Sequence, residues 1–289
     1  MDTQYSPDTL KEVIYTPQSQ LRKPVRFIRS MFNDLRASRE LAWRLFVRDI
    51  SSQYRQSLLG YLWIFMSPLI TTMLWVFLNA QGILNVRETS VPYPVYVMTG
   101  TMLWQSLVEI IKMPLGKVIE SKAMLTKVRF PREGLVLAGL YETLFRSAIR
   151  MLLLIGVFIW FQVSVPFTVL LAPVAIVMMM LFGLMIGIIL TPLGVLYRDV
   201  ERTLAVVTSL WFFVTPVVYP PPVQWPASLL VRINPVSPLL ITTRELMTTG
   251  TLSQPLGFVL VSSGTLCLLF IAWAIYRLAM PHLIERMSA

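Results

Sequence analysis

Six stretches of this chain are long and apolar enough to cross a lipid bilayer as helices. They cover residues 58–80, 95–113, 134–161, 167–196, 204–219 and 256–278. A bilayer core of about 30 Å needs roughly 20 such residues in a helix. Because 55% of the 289 residues are hydrophobic, a soluble core of this length could not bury them all. The sequence therefore predicts an all-α, polytopic membrane protein whose six-helix transmembrane domain spans residues 58–289.

The positions of the lysines and arginines predict the orientation, because these residues are retained in cytoplasmic loops. One side of the predicted membrane carries Lys11, Arg22, Lys23, Arg26, Arg29, Arg36, Arg39, Arg44, Arg48, Arg55, Lys112, Lys117, Lys122, Lys127, Arg129, Arg132, Arg198, Arg202, Arg277 and Arg286. The other side carries Arg87, Arg232 and Arg244. Both termini are therefore expected in the cytoplasm. The net charge of +10 then follows mostly from topology, which argues against nucleic-acid binding.

The segment 28–57 has the pattern of an amphipathic interfacial helix, preceded by a cytoplasmic N-terminal extension at residues 1–27. Its apolar positions are Ile28, Met31, Phe32, Leu35, Ala42, Trp43, Leu45, Phe46 and Ile50, and its polar positions are Asn33, Arg36, Glu40, Arg44 and Arg48. Two interpretations stay open. The helix either anchors the chain on membrane lipid, or it also contacts a cytoplasmic partner.

A basic loop at 116–133 contains a second, shorter amphipathic segment with Val118, Met124, Leu125 and Val128 on its apolar edge. Pro131 ends this segment, because a helix interior does not accommodate proline. The loop is either held near anionic lipid by its charge or presents a short helix to a partner.

The third predicted span carries Glu142, Arg146 and Arg150 at successive i+4 positions, on one face of the helix. Charges at membrane depth are costly and need a partner, water or an anion. One interpretation is an internal pair between Glu142 and Arg146 that locks helices together. The other places Arg146 and Arg150 along a water-filled path, where they meet an anionic substrate group such as a phosphate.

Residues 220–254 contain six prolines that interrupt short apolar runs. The apolar runs at 229–231 and 239–241 are too short to span a bilayer. Irregular backbone at membrane depth must lie against protein or a cavity. The pattern favours two short re-entrant helices in the outer leaflet over a proline-rich surface hairpin. Aromatic residues such as Tyr61, Trp63 and Trp104 suit a membrane-interface belt or helix packing, and they would also suit a path for sugars.

The sequence contains no phosphate-binding loop, zinc-protease motif or nucleophile elbow. Its single cysteine, Cys267, and single histidine, His282, exclude a disulfide framework and multi-histidine metal chemistry. No catalytic residue, metal site or cofactor is expected in this chain. An active transporter built on it would take its energy from another subunit.

Four motifs, taken together, resemble the permease subunits of type-2 ABC exporters that move O-antigen, capsule or teichoic acid. They are R-D-I-S-S-Q-Y-R-Q-S-L-L-G-Y-L-W at 48–63, K-V-R-F-P-R-E at 127–133, Y-R-D-V at 197–200 and I-N-P-V-S-P at 233–238. The resemblance covers about residue 35 to the C-terminus. The 48–63 pattern favours the O-antigen branch.

The resemblance implies a homodimer with two ATP-binding subunits, which hold ATP and Mg²⁺, in the bacterial cytoplasmic membrane. It implies a coupling helix at about 117–129 and an outer gate at about 220–254, and a glycan substrate linked to undecaprenyl diphosphate. The residues expected to couple to the ATPase are Lys117, Glu120, Lys122, Lys127, Arg129, Arg44 and Arg48. Those expected along the substrate path are Arg146, Arg150, Glu142, Tyr61, Trp63 and Trp104, and those at the outer gate are Asn234, Pro235 and Arg244.

Three other functions fit the sequence less well. A type-2 exporter of a small molecule, drug or lipid shares the architecture, but the 48–63 motif argues against it. A polytopic membrane transferase would be expected to carry acidic or histidine clusters on a loop, and none is present. An ion-coupled transporter would be expected to show inverted repeats with broken helices, which the sequence lacks.

Overall fold

The chain folds into a bundle of helices, seen here in a computed structural model that describes residues 24–55, 62–83, 86–127 and 132–288. Within these ranges the helices are α1 (Pro24–Arg55), α2 (Leu62–Ala80), α3 (Tyr93–Glu120), α4 (Lys122–Lys127), α5 (Glu133–Trp160), α6 (Ala172–Leu196), α7 (Asp199–Val214), α8 (Ala227–Ile233), α9 (Val236–Thr248) and α10 (Pro255–Ser288). A 3₁₀ helix, Phe167–Leu171, leads into α6. The all-α prediction is confirmed.

The six predicted spans correspond to α2, α3, α5, α6, α7 and α10. Four segments of the described chain are long and apolar enough to cross a membrane: Leu62–Ala80, Glu133–Trp160, Phe167–Leu196 and Pro255–Leu283. The helix α3 is less apolar because Thr101, Gln105, Glu109 and Lys112 interrupt its apolar side chains. The helix α7 has 16 residues, fewer than the roughly 20 that a perpendicular span needs.

The fifth span is shifted toward the N-terminus from its predicted position, 204–219. The helix α7 begins at Asp199, whose carboxylate, like that of Glu201, stabilises the positive end of the helix dipole. It ends at Val214, and Thr215 has extended backbone ahead of Pro216. The last helix continues ten residues past the predicted end at 278, to Ser288, with Pro281 inside it.

The predicted coupling helix at 117–129 is not continuous. The helix α3 runs on to Glu120, the chain turns at Ser121, and a separate six-residue helix, α4, covers Lys122–Lys127. Arg129 and the side chain of Lys127 lie outside the described residues. The predicted segment is therefore the last turn of one long helix followed by a short second one.

The amphipathic helix α1 presents apolar side chains in two directions. Met31, Ala42 and Leu45 are buried, and the helix packs against α5. Phe32 and Trp43 stay more than half exposed on a neighbouring side. The helix therefore packs on the bundle with one apolar side and leaves the other available to lipid.

The bundle is organised around α3, which contacts α2, α5, α6, α7 and α9. Its closest approach is to α6, where Gly183, Gly187 and Gly194 face it. A Cβ atom built on Gly187 would clash with the carbonyl oxygen of Ile111 in the α3 backbone. Small residues at this spacing let two membrane helices approach closely, so that van der Waals contact holds them together.

The substitution Gly187→Ala should therefore destabilise the protein, by about 1–3 kcal/mol, because the new methyl group forces α3 and α6 apart. The measurement is the apparent unfolding temperature of the purified chain in detergent. Gly156→Ala is the matched control, since Gly156 lies in the interior of α5 with nothing within 4 Å of a built Cβ. Equal unfolding temperatures for the two variants would contradict the close-packing account.

Candidate functional site

A cavity of about 700 Å³ opens between five helices of the bundle. Its lining comes from α1 (Gln53), α2 (Trp63, Ile64, Ser67, Thr71, Trp75), α3 (Thr101, Trp104, Gln105, Val108, Glu109, Lys112), α5 (Arg146, Arg150) and α7 (Thr208, Ser209, Phe212, Phe213). The cavity therefore brings together four residues predicted for the substrate path: Trp63, Trp104, Arg146 and Arg150. Glu142 is not part of the lining but bonds to Arg146, and Tyr61 lies outside the described residues.

One part of the wall is aromatic. Trp104 meets the edges or faces of Trp211 and Phe212 at centroid distances of 6.2 and 5.9 Å. Trp75 of α2 lies 5.9 Å from the same Phe212. Such rings combine a large apolar face with rigid geometry, and they can pack on the apolar faces of sugar rings.

The polar part of the wall is a stripe on α3 formed by Thr101, Gln105, Glu109 and Lys112. These four residues were not among the predicted site residues. Their spacing of three or four places them on one helix face, and a polar stripe on an otherwise apolar span is a signal that could have identified them. Lys112 is exposed and has no ion-pair partner among the residues that the structure describes.

Arg150 is nearly buried and is fixed by neighbours on α3. It forms an ion pair with Glu109 and donates a hydrogen bond to the Ser106 hydroxyl over 3.2 Å. Its Nε atom and the second carboxylate oxygen of Glu109 are buried without a partner in the described structure. The pair therefore neutralises a charge inside the bundle and fixes the position of Arg150 in the cavity wall.

Arg146 is more exposed and has two partners. It pairs with Glu142 on its own helix and donates a hydrogen bond to the Gln53 side chain of α1 over 2.8 Å. The internal Glu142–Arg146 pair, one of the two interpretations of the sequence, is present. Arg146 also lines the cavity, so its position is compatible with both interpretations.

Lys117 connects α1 to the bundle. Its ammonium group lies 2.9 Å from the Asp49 carboxylate and 2.7 Å from that of Glu142. Burial alone would raise the pKa of the Asp49 carboxyl, but hydrogen bonds from Lys117 and Arg48 outweigh burial and hold that pKa below its ordinary value. We expected Lys117 at the ATPase contact, whereas its side chain is only 11% exposed and is enclosed by these carboxylates.

A second ion-pair group fixes the N-terminal half of α1. Arg277 of α10 pairs with Asp34 of α1 and lies 3.0 Å from Glu133 at the start of α5. This group was not predicted, because Arg277 is 144 residues from Glu133 and 243 residues from Asp34 along the chain. The interfacial helix is therefore attached to the bundle at both Asp34 and Asp49.

Other residues predicted to couple to an ATPase lie at the surface of the same end of the bundle. Arg44 forms an exposed pair with Glu40, and Arg48 pairs with Asp49. Glu120 is 70% exposed at the end of α3. Close by, Ile119 and Lys122 line a groove together with Arg198, Glu201 and Arg202 at the junction of α6 and α7.

At the other end of the bundle, Asn234 holds α7, α8 and α9 together. Its amide oxygen accepts hydrogen bonds from the Trp211 indole over 2.9 Å and from the Val236 backbone N–H over 3.1 Å. Its amide nitrogen donates to the Thr215 hydroxyl over 2.8 Å. Pro235 follows at the N-terminus of α9, where its missing N–H costs nothing.

Arg244 of α9 is buried without a carboxylate partner in the described structure. Its guanidinium donates hydrogen bonds to the backbone carbonyls of Pro216 and Val217, and it lies 3.9 Å from the centroid of the Tyr96 ring. Gly100 makes this possible, because a Cβ atom there would clash with both Val217 and the guanidinium. The turn that follows α7 is therefore attached to α3 and α9 through one arginine.

The described residues contain no group of three His, Cys, Asp or Glu side chains that could hold a metal ion. What they contain is a bundle of membrane-spanning helices around a cavity with aromatic and charged walls. This combination defines a polytopic membrane protein that can admit a polar ligand among its spans.

The model of the ABC-2 type transporter family matches residues 40–248, and the chain belongs to that family. It is 24% identical over 256 residues to the O-antigen export system permease protein RfbA of Myxococcus xanthus, covering 88% of this chain and 96% of that protein. A Klebsiella pneumoniae protein of the same name is 25% identical and covers 75% and 83% of the two chains. The polysialic acid transport protein KpsM of Escherichia coli is also 25% identical and covers 81% and 91%.

The substitution Arg244→Gln should lower the stability of the turn after α7, by about 2 kcal/mol, because it removes charge-assisted hydrogen bonds and leaves carbonyls unpaired. Hydrogen exchange of the amides at 215–219 would report the loosening. Arg232→Gln is the matched control, since Arg232 is exposed on the nearby α8. Unchanged exchange in the Arg244 variant would refute the role of this arginine.

Proposed function

We propose that this chain is the membrane-spanning permease subunit of an ATP-driven exporter. The exporter moves a lipid-linked polysaccharide across the bacterial cytoplasmic membrane, and the polysaccharide that we favour is O-antigen. The observation that carries the proposal is the cavity, in which aromatic faces and paired charges lie between the spans. Its walls offer stacking surfaces for sugar rings and hydrogen-bonding groups for hydroxyls. The names of the family relatives support a polysaccharide as the cargo.

The proposed assembly contains two copies of this chain and two ATP-binding subunits, which hold ATP and Mg²⁺. The chain itself is a transport subunit without a catalytic site. The ATP-binding subunits would contact the exposed residues of α1, the end of α3 and α4, including Arg44, Arg48, Glu120 and Lys122. Lys117 would act from inside, by holding α1 against α3 and α5.

We place both termini in the cytoplasm, on the evidence of the charged loops. In this orientation α8 and α9 lie on the outer side, where Asn234, Pro235 and Arg244 would belong to a gate that closes the exit. The substrate in this proposal is a glycan on undecaprenyl diphosphate. Trp63, Trp104, Arg146 and Arg150 would line its path, with Glu142 behind Arg146.

Deletion of the gene should stop surface display of the polysaccharide and leave lipid-linked polymer inside the cell, because the path across the membrane is lost. Immunoblots of surface polysaccharide and extraction of lipid-linked glycans would measure both effects. Complementation by the wild-type chain is the control. Normal surface polysaccharide in the deletion strain would refute the function.

The contact with the ATP-binding subunit can be tested by charge reversal. Glu120→Lys should reduce co-purification of the ATP-binding subunit and lower surface display, because Glu120 is exposed at the proposed contact. Glu88→Lys is the matched control, since Glu88 is an exposed glutamate before α3, at the opposite end of that helix. The proposed contact is wrong if the two variants co-purify the subunit equally well.

A further inference from the structure

The two arginines of α5 differ in what they would leave behind if they turned toward a ligand in the cavity. The Glu142 carboxylate is shared between Arg146 and Lys117, and Lys117 lies 2.7 Å away. If Arg146 moved away, Glu142 would keep Lys117. Arg146 can therefore change partners without leaving a buried carboxylate unpaired.

Arg150 lacks this freedom. Among the described residues it is the only cation paired with Glu109, and its side chain is 6% exposed. Its removal would leave the Glu109 carboxylate, whose side chain is 31% exposed, without the cation that pairs with it in the structure, and would empty a buried position. Arg150 is thus a fixed part of the wall, whereas Arg146 is a movable one.

Lys112 supplies the charge that the wall does not balance. The carboxylates of Asp49, Glu109 and Glu142 are all taken by Lys117, Arg146 and Arg150. Lys112 lies in the same cavity wall as Arg146 without a carboxylate of its own in the described structure. The wall therefore has positive charge to spare, which favours an anion.

We propose that Lys112 and Arg146 bind a phosphate group of the transported molecule, and that Arg146 exchanges Gln53 and Glu142 for it. A phosphate offers several strong acceptor oxygens, which suit both the planar fork of arginine and the point charge of lysine. The assignment rests on the proposed function, in that the cavity is taken as the substrate path. In that path Lys112 and Arg146 receive the charged group, and Arg146 releases Gln53 and Glu142.

Breaking the hydrogen bond from Arg146 to Gln53 would change how α1 is held. Gln53 lies one helical turn beyond Asp49 and is joined to the bundle through its bond from Arg146. When Arg146 turns to the phosphate, the last turn of α1 loses this tie and keeps the one from Lys117 to Asp49. A loaded cavity thus changes how the interfacial helix is held at the end nearest the path, on the helix proposed to contact the ATP-binding subunit.

The test uses the full-length chain in phosphatidylcholine nanodiscs, titrated with farnesyl diphosphate. Tryptophan fluorescence is the readout, because Trp63, Trp75 and Trp104 line the cavity, and calorimetry provides an independent affinity. Lys112→Gln and Arg146→Gln should each weaken binding about tenfold, since each removes a charge-assisted hydrogen bond. Arg36→Gln is the control for charge, because it removes one exposed cation of α1 far from the lining.

Two substitutions of Gln53 separate the exchange from a merely structural role. Gln53→Ala removes a competing acceptor for Arg146, so farnesyl diphosphate should bind more tightly, by a factor of about two to five, as expected for one modest hydrogen bond. Gln53→Glu supplies a stronger competitor and should weaken binding. A structural role alone predicts weaker binding in both.

The source of the phosphate is tested with three further titrations. Farnesol should not bind, and inorganic pyrophosphate should bind more weakly than farnesyl diphosphate because it lacks the lipid chain. If nanodiscs of phosphatidylglycerol abolish the response by filling the site, a membrane phospholipid is the ligand, and the assignment to a transported molecule is overturned.

Wild-type affinity in both Lys112→Gln and Arg146→Gln would overturn the proposal, as would equal weakening by Arg36→Gln. Thermal unfolding in the same discs shows whether each variant is folded, and Arg146→Lys replaces Arg146→Gln if the latter is not. The proposed function has a separate test in the surface display of polysaccharide by the deletion strain. If surface display depends on the chain but these variants bind farnesyl diphosphate normally, the proposed phosphate site is wrong and the proposed exporter function is still supported.

Discussion

Ionised side chains inside a helical membrane bundle must find counter-charges there, and this constraint determines how the present structure is connected. Asp49, Lys117, Glu142 and Arg146 join α1, α3 and α5, and Arg150 joins α5 to α3 through Glu109. Because a charge left alone would be expensive, none of these helices can move far without a replacement partner. The ion pairs therefore fix the shape of the cavity, and they also specify the few side-chain exchanges by which it could respond to a ligand.

Packing supplies the rest of the order. The glycine face of α6 lets α3 approach closely along the apolar half of the bundle, while the polar stripe of α3 faces the cavity on its other side. One helix thus carries both the tightest contact and the site. Since α3 also packs against α6 and α9, a displacement of α3 at the cavity wall would displace these two helices as well.

Local patterns in the sequence predicted the helices, because apolar length and charge placement act within one segment. The predicted bounds of α5 and α6 and the predicted end of α2 match closely. The helix α7 begins and ends earlier than predicted, because Asp199 and Glu201 favour its first turn and Pro216 follows its end, and neither effect depends on apolar length. The ion pairs between helices could not be predicted. Lys117 and Asp49, for example, are 68 residues apart, and no local pattern in either segment indicates that the two residues are in contact. Lys117 was predicted at the ATPase contact because its segment resembles a coupling helix, and the carboxylates that enclose it come from two other helices.

Arg244 of α9 holds the turn after α7 through the backbone carbonyls of that turn and not through its side chains. Its bonds to residues 216 and 217 therefore do not depend on which side chain stands at position 217, although Val217 itself is buried in the core. The strict demand falls instead on Gly100, two turns into α3, where any side chain would occupy the space that the guanidinium needs. Sequence drift in this region should thus be freer in the exposed segment 223–227 than at Gly100 or in the buried turn that Arg244 holds, so that segment could diversify while its attachment stays the same.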